Sequence, residues 1–273
     1  MKKYASYFLV SLAILSFNAC KQDKEKNAED ADIETNISSE EKDAEVNIPS
    51  EINSVLAAHG GAQTWNQMKN LCFEFKGRSG TEIHTVSLPD RKTKIEHKDW
   101  SMGYDGSTVW LLENEEDAYQ GNAHFYYNLM FYFYAMPYVL ADPGIAYEIL
   151  PQETLDGTTY DVVKISYDSG TGVSPEDEYK LYTNPEDHTM QWLGYTVTYR
   201  SGEKSSDWHF IKYDRWKEVN GLLLPEKLTW YEVENNQPTS ERNDLVFKNI
   251  AVTATPLEAS VFAKPEGAES VSR

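Results

Sequence analysis

Cysteine is almost missing from this chain, with Cys20 and Cys72 the only two in 273 residues. If Cys20 is modified, Cys72 has no partner for an intrachain disulfide even in an oxidising compartment, so the fold must rest on its core. Cys72 sits in Leu71-Cys72-Phe73-Glu74-Phe75, an apolar neighbourhood that raises a thiol pKa and keeps it inert. Basic residues are scarce as well, 25 against 44 acidic ones, and the net charge of -19 repels nucleic acid and anionic lipid surfaces. Neither is expected as a partner.

The signatures of catalysis are also missing. The six histidines, His59, His84, His97, His124, His188 and His209, lie far apart, with no HExxH and no His-x-His pair to suit a metal. No Gly-x-Ser-x-Gly elbow supplies a lipase nucleophile. His59-Gly60-Gly61 lacks the spacing and the lysine of a phosphate loop and reads as a helix C-cap. The acidic groups Glu115-Glu116 and Glu176-Asp177-Glu178 fall in turn-like contexts and read as solubility charges. A chain that is not an enzyme, with no cofactor and no metal, is expected.

Long apolar runs are absent but for one. After the basic Lys2-Lys3, Tyr4 to Phe17 forms an apolar stretch of about fourteen residues, short of the roughly twenty a spanning helix needs, and a small residue, Ala19, precedes Cys20. Residues 1–19 are therefore read as a signal peptide. Phe17-Asn18-Ala19-Cys20 resembles a bacterial lipobox, which implies acylation of Cys20. Such chains contribute roughly 0.8 kcal/mol per buried CH₂ to membrane attachment. Lys21 to Glu25 resembles the charged signals that send Bacteroidetes lipoproteins to the cell surface. A cell-envelope protein anchored to the outer membrane through Cys20 is expected, facing either the periplasm or the exterior. Residues 20–50, with no aromatic after Cys20, are read as a disordered acidic tether.

The folded region is expected over residues 51–266, with a frayed tail at 267–273. Ser50 is placed as N-cap of a helix carrying Ile52, Val55, Leu56 and His59, and a second short helix runs from Ala62 to Asn70. Alternating runs follow at Leu71–Gly77, Thr81–Leu88, Lys92–His97, Met102–Tyr104 and Thr108–Leu112. They resume at Tyr160–Tyr167, Glu178–Thr183, Gln191–Arg200, Trp208–Val219, Leu222–Glu234 and Asp244–Val252. Turn pairs separate them, among them Asp105-Gly106, Asp156-Gly157, Asn220-Gly221 and Asn235-Asn236. Between the two groups Ala123 to Leu140 is dense in Tyr and Phe and demands burial on nearly every side. The fold class that follows is α+β and β-rich. It is a strongly curved antiparallel sheet, a half-barrel or open barrel, with N-terminal helices and a central aromatic helix or plug on the concave side.

Five short motifs recur in a definite order: His59-Gly60-Gly61 with Trp65, Gly103 to Trp110, Met136 to Gly144, Asn220 to Pro225, and Val261-Phe262 with Pro265. Their order over some two hundred residues resembles the outer-membrane lipoprotein-sorting (LolA/LolB-like) superfamily, and more closely an uncharacterised Bacteroidetes lipoprotein branch of it. The resemblance implies an apolar cavity that accepts a lipid or another acyl-chain ligand, possible work in lipid or lipoprotein trafficking, and no catalysis. The cavity candidates are Trp110, Phe131, Phe133, Tyr134 and Met136. Two readings stand for the aromatic element, a lid or lining for a ligand and a permanent core plug. Two stand for Trp110, cavity wall and core. The alternative function is a surface interaction or scaffold lipoprotein with a closed core. No protein partner can be named.

Overall fold

The computed structural model describes residues 48–167, 176–199 and 201–272. The expected signal peptide, Cys20 and most of the tether lie outside the described residues. Two helices open the fold, α1 (Ser50–Ala58) and α2 (Ala62–Gln67). Ser50 is the first helical residue and not the cap: Pro49 occupies that place, and no side chain caps the helix. Proline is suited to this edge because it has no N–H to leave unpaired. Ile52, Val55 and Leu56 put the buried stripe of α1 at helical spacing.

Five strands follow: β1 (Asn70–Lys76), β2 (Thr81–Ser87), β3 (Thr93–Glu96), β4 (Trp100–Tyr104) and β5 (Val109–Glu113). Three short helices then fill the aromatic stretch, α3 (Ala123–Tyr126), α4 (Leu129–Tyr134) and α5 (Met136–Val139). The second group of strands comprises β6 (Ile145–Leu155), β7 (Thr158–Tyr167), β8 (Tyr179–Thr183), β9 (Met190–Tyr195), β10 (His209–Val219), β11 (Leu222–Glu234) and β12 (Gln237–Thr253). A 3-10 turn at Ala259–Val261 leads to β13 (Glu269–Val271).

All thirteen described strands join one antiparallel sheet in the order β13-β5-β4-β3-β2-β1-β12-β11-β10-β9-β8-β7-β6. It consists of two meanders sewn together where β1 pairs with β12, Asn70 opposite Thr253. Laid flat, the eleven spacings between β5 and β6 would separate them by roughly 50 Å. One apolar cluster nevertheless contains Phe73 and Val86 from the first meander, Val163, Leu181 and Ile211 from the second, and Phe131 to Leu140 between them. The sheet therefore curves around the helices, which is the expected half-barrel.

Register decides which side chains meet. On β2 it is Glu82, His84 and Val86 that turn inward, while Ile83 is left outside. Direct pairing carries that inner row from Phe73 through His84, Ile95 and Met102 to Leu111. The outer face of the second meander has its own cluster of Val162, Tyr182, Trp192 and Phe210. Three hairpins turn as expected, with positive φ at both residues of Asp156-Gly157, Asn220-Gly221 and Asn235-Asn236. Asp105-Gly106 differs. Only Gly106 is left-handed, and Asp105 Oδ1 accepts from the Ser107 and Thr108 amides, which fixes a II′-type loop over Gly106 and Ser107.

Three expectations are corrected. The tail from Gly267 does not fray: Val271 pairs with Val109 and Ser270 with Trp110. The strand expected to run to Arg200 ends at Tyr195. Ile145 to Leu155, which alternates poorly and contains Pro151, is a full strand at the sheet edge, with a bulge between Leu150 and Glu153.

Candidate functional site

The aromatic stretch leaves β5 near one end of the sheet and enters β6 at the other, so it must cross the concave face. It is a strap of short helices. Asn122 Oδ1 caps α3 by accepting from the Phe125 amide at 3.1 Å. The helix breaks at Asn128 and again at Ala135, and Pro137 lies in the first turn of α5, where its missing N–H costs nothing.

The strap buries one side chain after another. Tyr134 stacks on Phe73 at 4.3 Å and meets Phe247 edge-on at 4.7 Å. Phe133 lies 5.2 Å from Tyr195 and 6.1 Å from Trp230. The Arg91 guanidinium stands 5.0 Å over the Phe131 ring. Full burial of a large apolar side chain contributes about 1.5–3 kcal/mol, so this row is a main element of the core. One polar atom breaks the pattern: the Tyr134 hydroxyl is buried and has no hydrogen-bond partner among the described residues.

Four polar joints fix the strap to its surroundings. At its start the Tyr126 hydroxyl donates to Glu82 Oε2 at 2.8 Å, and His84 Nε2 donates to the same oxygen at 3.1 Å. His84 is 1% exposed and Glu82 6%, the only carboxylate among the buried described residues. Burial pushes the His84 pKa down, against the pull of Glu82, and pushes the Tyr126 phenol far up. Tyr119 lies beside them, edge-on to Trp100 at 4.9 Å, its phenol raised by burial and by Glu82. At the far end Arg91 Nη2 donates to both oxygens of Asp142, at 2.7 and 2.8 Å. Burial raises the Asp142 carboxyl in spite of Arg91. Between these, Tyr213 donates to the Phe133 carbonyl at 2.6 Å.

The fourth joint gathers three of the sequence motifs. The Tyr138 hydroxyl is shared between the His59 and Leu223 carbonyls at 2.8 and 2.9 Å, and the Leu223 amide donates to His59 O. Gly60, at φ +104, rests so close to Gly221 that a Cβ would come within 2.1 Å of its carbonyl oxygen. Trp65 stacks on Tyr138 at 4.3 Å. The other two motifs meet likewise: Trp110 Nε1 donates to Phe262 O at 3.2 Å, and its ring fills the space a side chain at Gly103 would need. The motifs are thus joints of the scaffold.

Of the five cavity candidates, Phe131, Phe133, Tyr134 and Met136 come together, all buried in the strap's cluster. Trp110 does not join them. Its strand neighbour Leu111 pairs with Met102 on the inner row, so Trp110 faces outward and is covered by the C-terminal segment. Two depressions open elsewhere. One, of about 320 Å³, lies between α1 and the β6–β7 end of the sheet; the other, of about 520 Å³, lies among Tyr104, His124, Tyr127 and Ser270. None of the five candidates lines either. Sequence reading missed Glu82, His84, Arg91, Tyr126 and Asp142. The signal that could have found Glu82 and His84 was their period-two spacing with Val86. Cys72 is placed as expected, its thiol pushed up by burial and 3.7 Å from Thr85 Oγ1. Among the described residues no three His, Cys, Asp or Glu side chains are placed to hold a metal, and no described helix is long and apolar enough to cross a membrane.

A curved antiparallel sheet closed on its inner side by an aromatic strap defines an α+β half-barrel protein. The chain belongs to the family of unknown function DUF6503, whose model matches residues 84–237. No curated protein sequence matches it. Among solved structures it is similar to a LolA superfamily protein from Nitrosomonas europaea, with 10% identity over 77% of this chain and 96% of that one and a TM-score of 0.45. It is similar too to a DUF1329 family protein from Desulfovibrio piger, with 8% identity over 79% and 97% and a TM-score of 0.45. A third is a domain assigned to outer membrane lipoprotein sorting in Vibrio parahaemolyticus, with 9% identity over 78% and 97% and a TM-score of 0.40. The fold stands on the strand order itself.

Proposed function

We propose that this protein is a non-catalytic carrier of a lipid or similar long apolar molecule, tethered to the outer membrane of a bacterial envelope through acylated Cys20. The ligand takes the place of part of the strap on the concave face. The observation that carries the reading is the construction of the strap. It is a row of large apolar side chains on three helices of four to six residues, joined at two breaks and held at its ends by polar contacts. Short broken helices have little stability of their own, so releasing the end contacts lets the segment shift and an acyl chain replace its rings. The gain in affinity is apolar area buried. The motif order that resembles lipoprotein-sorting proteins agrees with this reading.

A second reading, an interaction protein with a closed core, draws on the burial of Phe131, Phe133, Tyr134 and Met136. Native mass spectrometry with lipid extraction, on protein purified from a bacterial envelope, separates the two. The carrier reading expects a stoichiometric lipid, with occupancy rising when Tyr126→Phe and Arg91→Ala release the strap's ends. Ligand-free protein in both forms, with a melting temperature untouched by delipidation, would favour the closed interaction protein.

A further inference from the structure

The depression beside α1 has a character of its own. Its floor is the inner face of the last strands, Ile149, Asp161 and Val163, and its wall is α1, with Glu51 and Val55; His188 closes one end. Among its lining residues there is no Lys or Arg. Glu51 and Asp161 make neutral contacts only, with Ser50 and the Gln152 amide, and neither has an ion-pair partner among the described residues. Ile149, in the middle of this floor, is 50% exposed.

The same floor ends at an open sheet edge. Among the described residues β6 pairs with β7 alone, so its other side presents N–H and C=O groups that no described strand takes up. Free edges are usually blunted by charge, proline or a bulge. Pro151 and the bulge after Leu150 do this for the second half of β6. From Ile145 to Leu150 the only charged side chain is Glu148, whose cross-strand partner Lys164 shares its face of the sheet. The inward row of that stretch is Ile145, Tyr147 and Ile149. A strand added here would extend over about 20 Å and set its inward side chains beside this apolar row. Long cationic side chains suit those positions, because their aliphatic stems cover Ile149 while their heads reach Glu51 and Asp161.

We propose that the Ile145–Leu150 edge and its adjoining groove form a docking site for an extended, basic segment of another protein, bound as a fourteenth strand. Hydrogen bonds to the edge give the pairing, and the carboxylates of Glu51 and Asp161, which have no ion-pair partner among the described residues, select Lys or Arg at alternate positions. This does not rest on the carrier reading, since the groove lies apart from the strap's buried rings.

The test is fluorescence anisotropy on the full chain in detergent, with three labelled ten-residue peptides: alternating Lys-Val, alternating Glu-Val, and alternating Lys-Pro. The last carries the same charge as the first, but every second nitrogen lacks an N–H and proline's φ, fixed at about −65°, holds the chain in a polyproline form that does not pair as a flat strand. The expected result is binding of Lys-Val only, weakened about tenfold or more by Glu51→Lys with Asp161→Lys and weakened by salt. Ile149→Asp, an exposed change that leaves the core intact, tests the apolar floor and is expected to weaken binding as well. Equal binding of Lys-Val and Lys-Pro would mean unspecific attraction to an acidic protein and would overturn the proposal. So would equal binding of Glu-Val, no binding at about 1 mM peptide, or indifference to the charge reversals. Sedimentation giving a dimer that Ile149→Lys dissolves would assign the edge to a second copy of this chain instead.

Discussion

Tyr134 and Tyr213 offer the same substitution with opposite expected signs. Both hydroxyls are buried at the heart of the half-barrel, but Tyr213 donates to the Phe133 carbonyl at 2.6 Å while the Tyr134 hydroxyl has no partner among the described residues. An unpaired buried polar group costs about 1–3 kcal/mol, and deleting it with a ring of the same shape recovers that cost. At roughly 3 °C per kcal/mol for a domain of this size, Tyr134→Phe should raise the melting temperature by about 3–9 °C. Tyr213→Phe strands a buried carbonyl and should lower stability by about 1–2 kcal/mol. Calorimetry on the two variants and the wild type, checked by urea midpoints, reads both signs. If Tyr134→Phe destabilises as much as Tyr213→Phe, an ordered water or ligand group satisfies the hydroxyl and the argument fails. If neither variant moves the transition, the strap is not packed in solution, and the reasoning about a closed concave face falls with it.

The joint at the end of α1 makes a second contrast. Gly60→Ala forces a Cβ into the Gly221 carbonyl on top of the strain of its positive φ, whereas Gly61→Ala meets open space and carries only the strain of a backbone region almost reserved to glycine, about 1–3 kcal/mol, so Gly60→Ala should cost clearly more; similar urea midpoints would sink the contact. His84 sets a pH dependence. Burial holds its folded pKa below the ordinary 6.5, so the unfolded chain binds the proton more readily and the stability tied to His84 is full above about pH 6.5 and lost as pH falls below it. Urea midpoints between pH 7 and 5 should fall less steeply in His84→Gln, and an unchanged slope would place the dependence elsewhere, His59 first. Removing Glu269–Arg273 should expose the β5 edge and speed amide exchange at Val109–Glu113, detectable by mass spectrometry; unaltered exchange there would contradict the pairing of β13 with β5.

The architecture was largely legible because its causes are local. Turn pairs such as Asn220-Gly221 and Asn235-Asn236 need left-handed residues in succession and are written in two letters each. The density of rings from Phe125 to Tyr138 has no stable home but the inside of a curved sheet. What stayed hidden depends on register. In Thr81-Glu82-Ile83-His84-Thr85-Val86, Ile83 and Val86 are three apart, so one of the two must face outward; the period-two row of Glu82, His84 and Val86 is one of two local choices, and the sequence there does not say why Ile83 yields its place to a carboxylate and an imidazole. The answer comes from Tyr126, 44 residues away, whose hydroxyl meets Glu82. The link between Arg91 and Asp142 is equally remote in sequence, 51 residues. Of the two readings of Trp110, cavity wall fails for a related reason, because its face is set by pairing with Gly103 and by Phe262, 152 residues away.

The stitch between β1 and β12 also sets the order of events in time. Each meander is built of neighbouring hairpins and can form as soon as its own stretch of chain is free. The stitch joins Asn70 to Thr253, 183 positions apart, and closing such a loop costs about 4–5 kcal/mol in chain entropy by length alone. Pairing over so long a separation is intrinsically slow, which makes this closure the expected late step. In a chain released N-terminus first, the two halves therefore wait side by side until almost the last strand has emerged. Only then does the strap, threaded between them, become enclosed. On that order the rings of Phe131, Phe133 and Tyr134 would be open to a neighbouring apolar molecule until the stitch closes, during the protein's own folding.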